Sequence, residues 1–174
     1  MSLNWIFFPK TLQVDDNLLN VISVFDKNSK IINSYDNDDN ETRKHSNEVL
    51  NIIAEDLRKI GYKVESGKKK KEKIGVPVLF GEMGKAQLQF QVDAYNFSEK
   101  TVIEVEAGRA FSNHQFLKDI FETSMMVNVD YLVLAVRNIY KKNKDYEKIL
   151  TWLDTLYLTE RIKLDLKGIL LIGY

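Results

Sequence analysis

The sequence predicts an α/β fold: a mixed β-sheet flanked by helices in layers. Three observations carry that expectation. Apolar residues recur at helical spacing in four separate stretches,. Two stretches, Leu88–Tyr95 and Thr101–Ala107, alternate apolar and polar as half-buried strands do,. Two nearly all-apolar runs, Tyr131–Val136 and Gly168–Ile172, have the length of strands covered on both faces,.

Taken in order, the chain starts with the aromatic cluster Trp5, Phe7 and Phe8, closed by Pro9. Their clustering suits core or dimer contacts better than base stacking. Leu18, Leu19, Ile22, Phe25, Ile31 and Ile32 then mark a first helix,. Tyr35 to Lys44 is rich in Asp and Asn and reads as an exposed loop,. Ser46 is placed as an N-cap, with Glu48 in the first turn where an acid meets the positive end of the helix,. Val49, Leu50, Ile53, Leu57 and Ile60 form the buried face of this second helix, and Gly61 ends it,. Tyr62–Glu65 starts a strand, Gly67 and the lysines after it make a turn, and Ile74–Phe80 returns extended. Pro77 marks that returning strand as an edge or irregular one,. After the two alternating strands, a helix from about Asn113 turns Phe116, Leu117, Ile120 and Phe121 inward. A last helix buries Tyr146, Ile149, Leu150, Leu153 and Leu156 before the final strand, Gly168–Tyr174,. Residues 1–174 read as one domain, with no internal repeat and no linker,.

Composition narrows the class. With 44% hydrophobic and 29% charged residues the balance is that of a soluble globular chain,. No run of about 18 apolar residues exists, so no membrane span is expected. The chain has no cysteine, which excludes disulfide frameworks, thiolate metal sites and cysteine nucleophiles,. That absence, and the lack of a visible secretory signal, fits a cytoplasmic location. The formal net charge of zero gives no overall bias toward nucleic acid. Local charge is uneven: Lys68, Lys69, Lys70 and Lys71 form a compact basic run that can face phosphates or simply be a solvated turn,. His45 and His114, the two histidines, lack metal-ligand spacing, and Met125-Met126 read as core filling,. No Gly-rich phosphate loop, Ser-His-Asp arrangement or HExxH motif is present.

The alternating strands are joined by Asn96–Lys100, a plausible hairpin loop,. Matching their apolar faces sets Leu88, Phe90, Val92 and Ala94 on one core surface with Ile103, Val105 and Ala107,. In that register Ala94 lies beside Ile103 and Val92 beside Val105. Asp93 then faces Glu104, and Gln91 faces Glu106. Three carboxylates on one face repel one another, more so under a covering helix. A hard divalent cation resolves the conflict, because Mg²⁺ takes one or two carboxylates and keeps several waters. From alternation alone, a solvent-facing hairpin whose acids meet Lys100 or Arg109 stays open.

Asp93-Ala94-Tyr95 followed by Thr101-Val102-Ile103-Glu104-Val105-Glu106 resembles the PD-(D/E)xK nuclease superfamily. The resemblance spans Ser46 to Val136 and includes the order of elements. It departs in two places: no Pro precedes Asp93, and Glu106 stands in the Lys position. Glu there resembles the BamHI and BglII branch of the restriction endonucleases. The stretch from Gly108-Arg109 through Asn113 to Asp119 is similar to the segment after the motif in those enzymes. The resemblance implies a restriction endonuclease-like core and Mg²⁺-dependent hydrolysis of DNA phosphodiesters, with Mn²⁺ able to substitute. Asp93 and Glu104 would hold metal by side chain and Val105 by its carbonyl. Glu106 would orient or deprotonate water, and Glu48 would be a helix acid brought to the site. It further implies double-stranded DNA as partner and a homodimer. Arg109 would contact phosphate, or else pair with Asp119. The alternative is a non-catalytic DNA-binding or assembly module on the same fold.

Overall fold

The structure, a computed structural model, describes residues 3–33, 44–67, 69 and 72–174. The element order is β1 (Asn4–Phe8), α1 (Asp16–Ile32), α2 (Ser46–Lys59), β2 (Lys63–Val64), β3 (Ile74–Phe80), β4 (Ala86–Val92), β5 (Ala94–Asn96), β6 (Thr101–Glu106), α3 (Gln115–Met125), β7 (Tyr131–Val136), α4 (Asp145–Thr159) and β8 (Gly168–Gly173). Six strands form a mixed sheet in the order β1-β8-β7-β6-β5-β2. The pairs β6/β7 and β7/β8 are parallel and the others antiparallel. This is the mixed sheet flanked by helices that the sequence predicts.

The two faces of the sheet build two cores. Ala94, Ile103, Val105, Val133, Ala135, Leu170 and Ile172 point to α1 and α2. Val102, Leu132, Leu134, Val136, Ile169 and Leu171 point to α3 and α4. Strands β7 and β8 are buried on both sides, which is why their sequences are almost continuously apolar,. Among the described residues no helix is long and apolar enough to cross a membrane.

One unassigned strand is found and two smaller expectations are corrected. The aromatic start is a strand: β1 runs antiparallel to β8 at the sheet edge, burying Phe7 and Phe8 and leaving Trp5 43% exposed. In α1, Leu19 and Ile31 face outward while Val21 and Val24 are buried. α2 has His45 rather than Ser46 as its N-cap residue. The expected loop over 35–43 lies outside the described residues, as do Lys68, Lys70 and Lys71.

The largest correction concerns the stretch expected to be one strand from Leu88 to Tyr95. It divides at Asp93. Residues before it form β4, which pairs with β3 in a separate two-stranded ribbon, and residues after it form β5 of the main sheet. Val92 therefore pairs with Ile74 rather than Val105, and Gln91 with Gly75 rather than lying opposite Glu106. Ala94 does lie beside Ile103. Val92 and Ala94 consequently enter opposite cores, and Leu88 is exposed. Pro77 is accommodated as expected of an irregular strand, because the register slips between Pro77 and Leu79,.

Candidate active site

β6 supplies the centre of the site. Ile103 and Val105 enter the core under α1 and α2, so Glu104 and Glu106 project to the other face, under α3,. Both are half-buried, with Leu134 of the neighbouring strand β7 beside Glu104 and Val136 beside Glu106. The turn that precedes β6 is held by Asn96, whose side-chain oxygen accepts the amides of Ser98 and Glu99 at 3.1 Å each.

Asp93 reaches this site from the junction of the two sheets. Its Oδ2 accepts a 2.8 Å hydrogen bond from the amide of Val105, and its carbonyl accepts the amide of Glu65, also at 2.8 Å. The amide and carbonyl of one strand residue point to the same side. The Val105 carbonyl therefore also faces the edge where β5 has ended. Beside Asp93, buried Glu65 is ion-paired with Lys73.

A fourth carboxylate comes from α3. The buried stripe of this helix is Phe116, Asp119, Ile120 and Thr123. Phe121, expected inward, is 41% exposed, and Leu117 is only partly buried. Asp119 is 5% exposed. Its Oδ1 accepts a 3.0 Å bond from Gln115 Nε2, not from Arg109.

All four acids are held above the usual carboxylate range. Burial is the largest cause in every case. It pushes Asp93 up to about 6, with Glu65 adding to the rise and the Val105 amide and Lys73 opposing it. It holds Glu104 well above the usual carboxylate range, reinforced by Asp93, Asp119 and Glu106. Glu106 is pushed up to about 8, with Asp119 and Asp93 contributing. Asp119 rises to about 7 despite the Gln115 hydrogen bond. Perturbation of this kind, by burial plus specific charges, is characteristic of functional sites. Among the described residues, no three His, Asp or Glu side chains are drawn together closely enough to hold a metal ion as they stand. The donor set is nonetheless all carboxylate oxygen, the chemistry a hard cation takes.

The remaining expected residues are dispersed. Glu48 is exposed in the first turn of α2, where its carboxylate accepts the His45 amide at 2.6 Å, a helix-start role,. That helix end is docked on the site strand, because Ser46 Oγ accepts the amide of Ala107 at 2.9 Å. Lys69 is exposed, with its amide donating to Glu72 at 2.9 Å. Arg109 is exposed in the loop between β6 and α3, with φ of 63°. Lys100 pairs with Asp130 rather than with the acids.

Sequence reading missed two site elements. Asp119 had a signal: it follows Phe116 by three residues, so it shares the apolar stripe. Arg137 had none. It lies buried just past β7, donating from Nε to the Ala107 carbonyl and from an Nη to the Lys44 carbonyl. Only the parallel pairing of β6 with β7 puts it beside the end of the acidic strand. The chain matches no protein-family model and no curated protein.

Proposed function

We propose that this chain is a Mg²⁺-dependent endonuclease that hydrolyses DNA phosphodiester bonds, with a restriction endonuclease-like core of the PD-(D/E)xK kind. The observation that supports the reading best is that Asp93, Glu104 and Glu106 on the sheet and Asp119 on the helix above it are each held above the usual carboxylate range, chiefly by burial, with Asp93 and Asp119 adding to the rise at both Glu104 and Glu106. Carboxylates destabilise a fold in such a place unless a positive charge joins them.

In this reading Asp93 and Glu104 hold the cation, with the Val105 carbonyl at the same edge. Asp93 is oriented for this by the Val105 amide. A bound Mg²⁺ or Mn²⁺ would polarise a phosphate oxygen and lower the pKa of its waters. Glu106, with its proton affinity raised to about 8, takes the proton of the attacking water,. Lys69 and Arg109 are exposed and can meet DNA phosphates,. Double-stranded DNA is the proposed substrate.

A homodimer is proposed with it, so that two sites meet two strands. The ribbon of β3 and β4 offers surface for that contact, since Leu79, Phe80, Met83 and Leu88 are all exposed,.

The experiment is nicking of supercoiled plasmid by the purified chain with Mg²⁺, with Mn²⁺ and with a chelator. Nicking that requires the cation supports the reading. An intact plasmid in all three, together with a thermal midpoint that neither cation moves, would leave a non-catalytic module instead.

A further inference from the structure

Asp119 carries one more feature than its three neighbours. One carboxylate oxygen is anchored by Gln115 from the preceding turn of the same helix. The other, Oδ2, is shielded from solvent and accepts no hydrogen bond from the protein. Buried acceptors are almost always satisfied, so an orphan inside a functional site points to a partner that comes with the ligand. Helix α3 packs Phe116 and Ile120 into the core on either side, which fixes Asp119 in place. Its charge is felt by both Glu104 and Glu106 across the helix–sheet interface. The missing partner must be a hydrogen-bond donor that tolerates a ring of acids.

We infer that Asp119 is a positioning residue of the cation site, its Oδ2 accepting a hydrogen bond from a water carried by the cation that Asp93 and Glu104 hold. The inference rests on the reading of the site as a cation site. Two observations favour a water-mediated contact over direct ligation. No three acids among the described residues converge tightly enough to bind together. Asp119, tethered at Oδ1 and packed in its helix, is not free to swing toward the strand. Mg²⁺ and Mn²⁺ keep several waters when bound by one or two carboxylates, and those waters need acceptors. An acid that receives such a water orients the inner ligands without touching the metal.

The test is Mn²⁺ affinity, measured by calorimetric titration of the whole chain, for wild type, Asp119→Asn, Gln115→Ala and Glu104→Ala. Asp119→Asn should bind Mn²⁺ about 10- to 100-fold more weakly, the range seen when an outer partner of a metal ligand is lost. Its metal-free thermal midpoint at pH 8 should be unchanged or higher, because a buried charge has been removed. Those opposite directions separate a role toward the cation from a role in folding. Gln115→Ala, which keeps the charge and frees the tether, should weaken Mn²⁺ binding in the same direction. Should Asp119→Asn not fold, an unchanged affinity in Gln115→Ala overturns the inference. Wild-type affinity in Asp119→Asn, with binding lost in Glu104→Ala, would remove Asp119 from the site and leave the nuclease reading intact. Absence of Mn²⁺ binding by wild type would sink both.

Discussion

The carboxylate of Asp93 accepts the amide of Val105 at 2.8 Å, at the point where strand β5 has ended and can no longer supply a carbonyl. The side chain thus stands in for a missing rung of the sheet. Asp93→Ala would strand a buried amide and should cost about 1–3 kcal/mol of stability. Asp93→Asn keeps an acceptor oxygen and should cost less. Urea unfolding of the two variants without metal checks this, and equal losses would mean that the hydrogen bond carries no weight.

Glu104→Ala should abolish metal-dependent nicking. Glu104 is one of two acids proposed to hold the cation, and the next residue on its face toward the turn is Val102, which has no ligand atom. Glu106→Lys should retain little or no activity, because the surrounding acids keep an ammonium charged and unable to accept a proton. Plasmid nicking at equal protein concentration decides both. Undiminished cutting by Glu104→Ala would assign the cutting elsewhere.

The metal-free protein should lose stability as pH rises from about 4 to about 8. The unfolded chain titrates its carboxyls near 4. The folded chain holds Asp93 up to about 6, Asp119 to about 7 and Glu106 to about 8. Between those limits the folded state binds more protons than the unfolded state, so stability falls with pH. Glu106→Gln should flatten the upper part of the curve. Mn²⁺ should raise the thermal midpoint more at pH 8 than at pH 5.5, since binding competes with protons. Thermal melts across that range would show a flat profile if the acids titrated at their ordinary values.

The assembled state is open to a direct measurement. Light scattering at micromolar concentration should give twice the 20.3 kDa mass of the chain. Met83→Lys at the ribbon tip, where Met83 is 91% exposed, should shift the mass toward one copy. A single-chain mass for the unaltered protein would count against the dimer.

Much of the fold was legible because its signals are local. The apolar runs of β7 and β8 and the stripe of α4 each lie in a few consecutive turns or residues. The pairing of Ala94 with Ile103 followed from alternation. What alternation could not reveal was that Val92 and Ala94, two residues apart, belong to different sheets. A twist at a single residue leaves the polar–apolar pattern unchanged while exchanging which core receives each side chain. Strand β1 was missed for a related reason: it is short, largely aromatic and on an edge, so it shows neither alternation nor a long apolar run. Asp119 was overlooked because Phe121 offered a second apolar stripe on the same helix, and only packing against β6 selects between them.

The division at Asp93 has a bearing on how this architecture can vary. Glu65 and Asp93 are joined main chain to main chain at 2.8 Å, so the excursion from 66 to 92 departs and returns at one neck. Its proximal part is tied into the core by Val76 and Val92, whereas residues 79–89 are exposed throughout. Lengthening or shortening a connection beyond such a neck changes the closure entropy only logarithmically. The outer ribbon can therefore be recut, extended or given new side chains while the carboxylates below stay in register. A scaffold built this way lets its outer ribbon and its carboxylate-bearing strands change independently of one another.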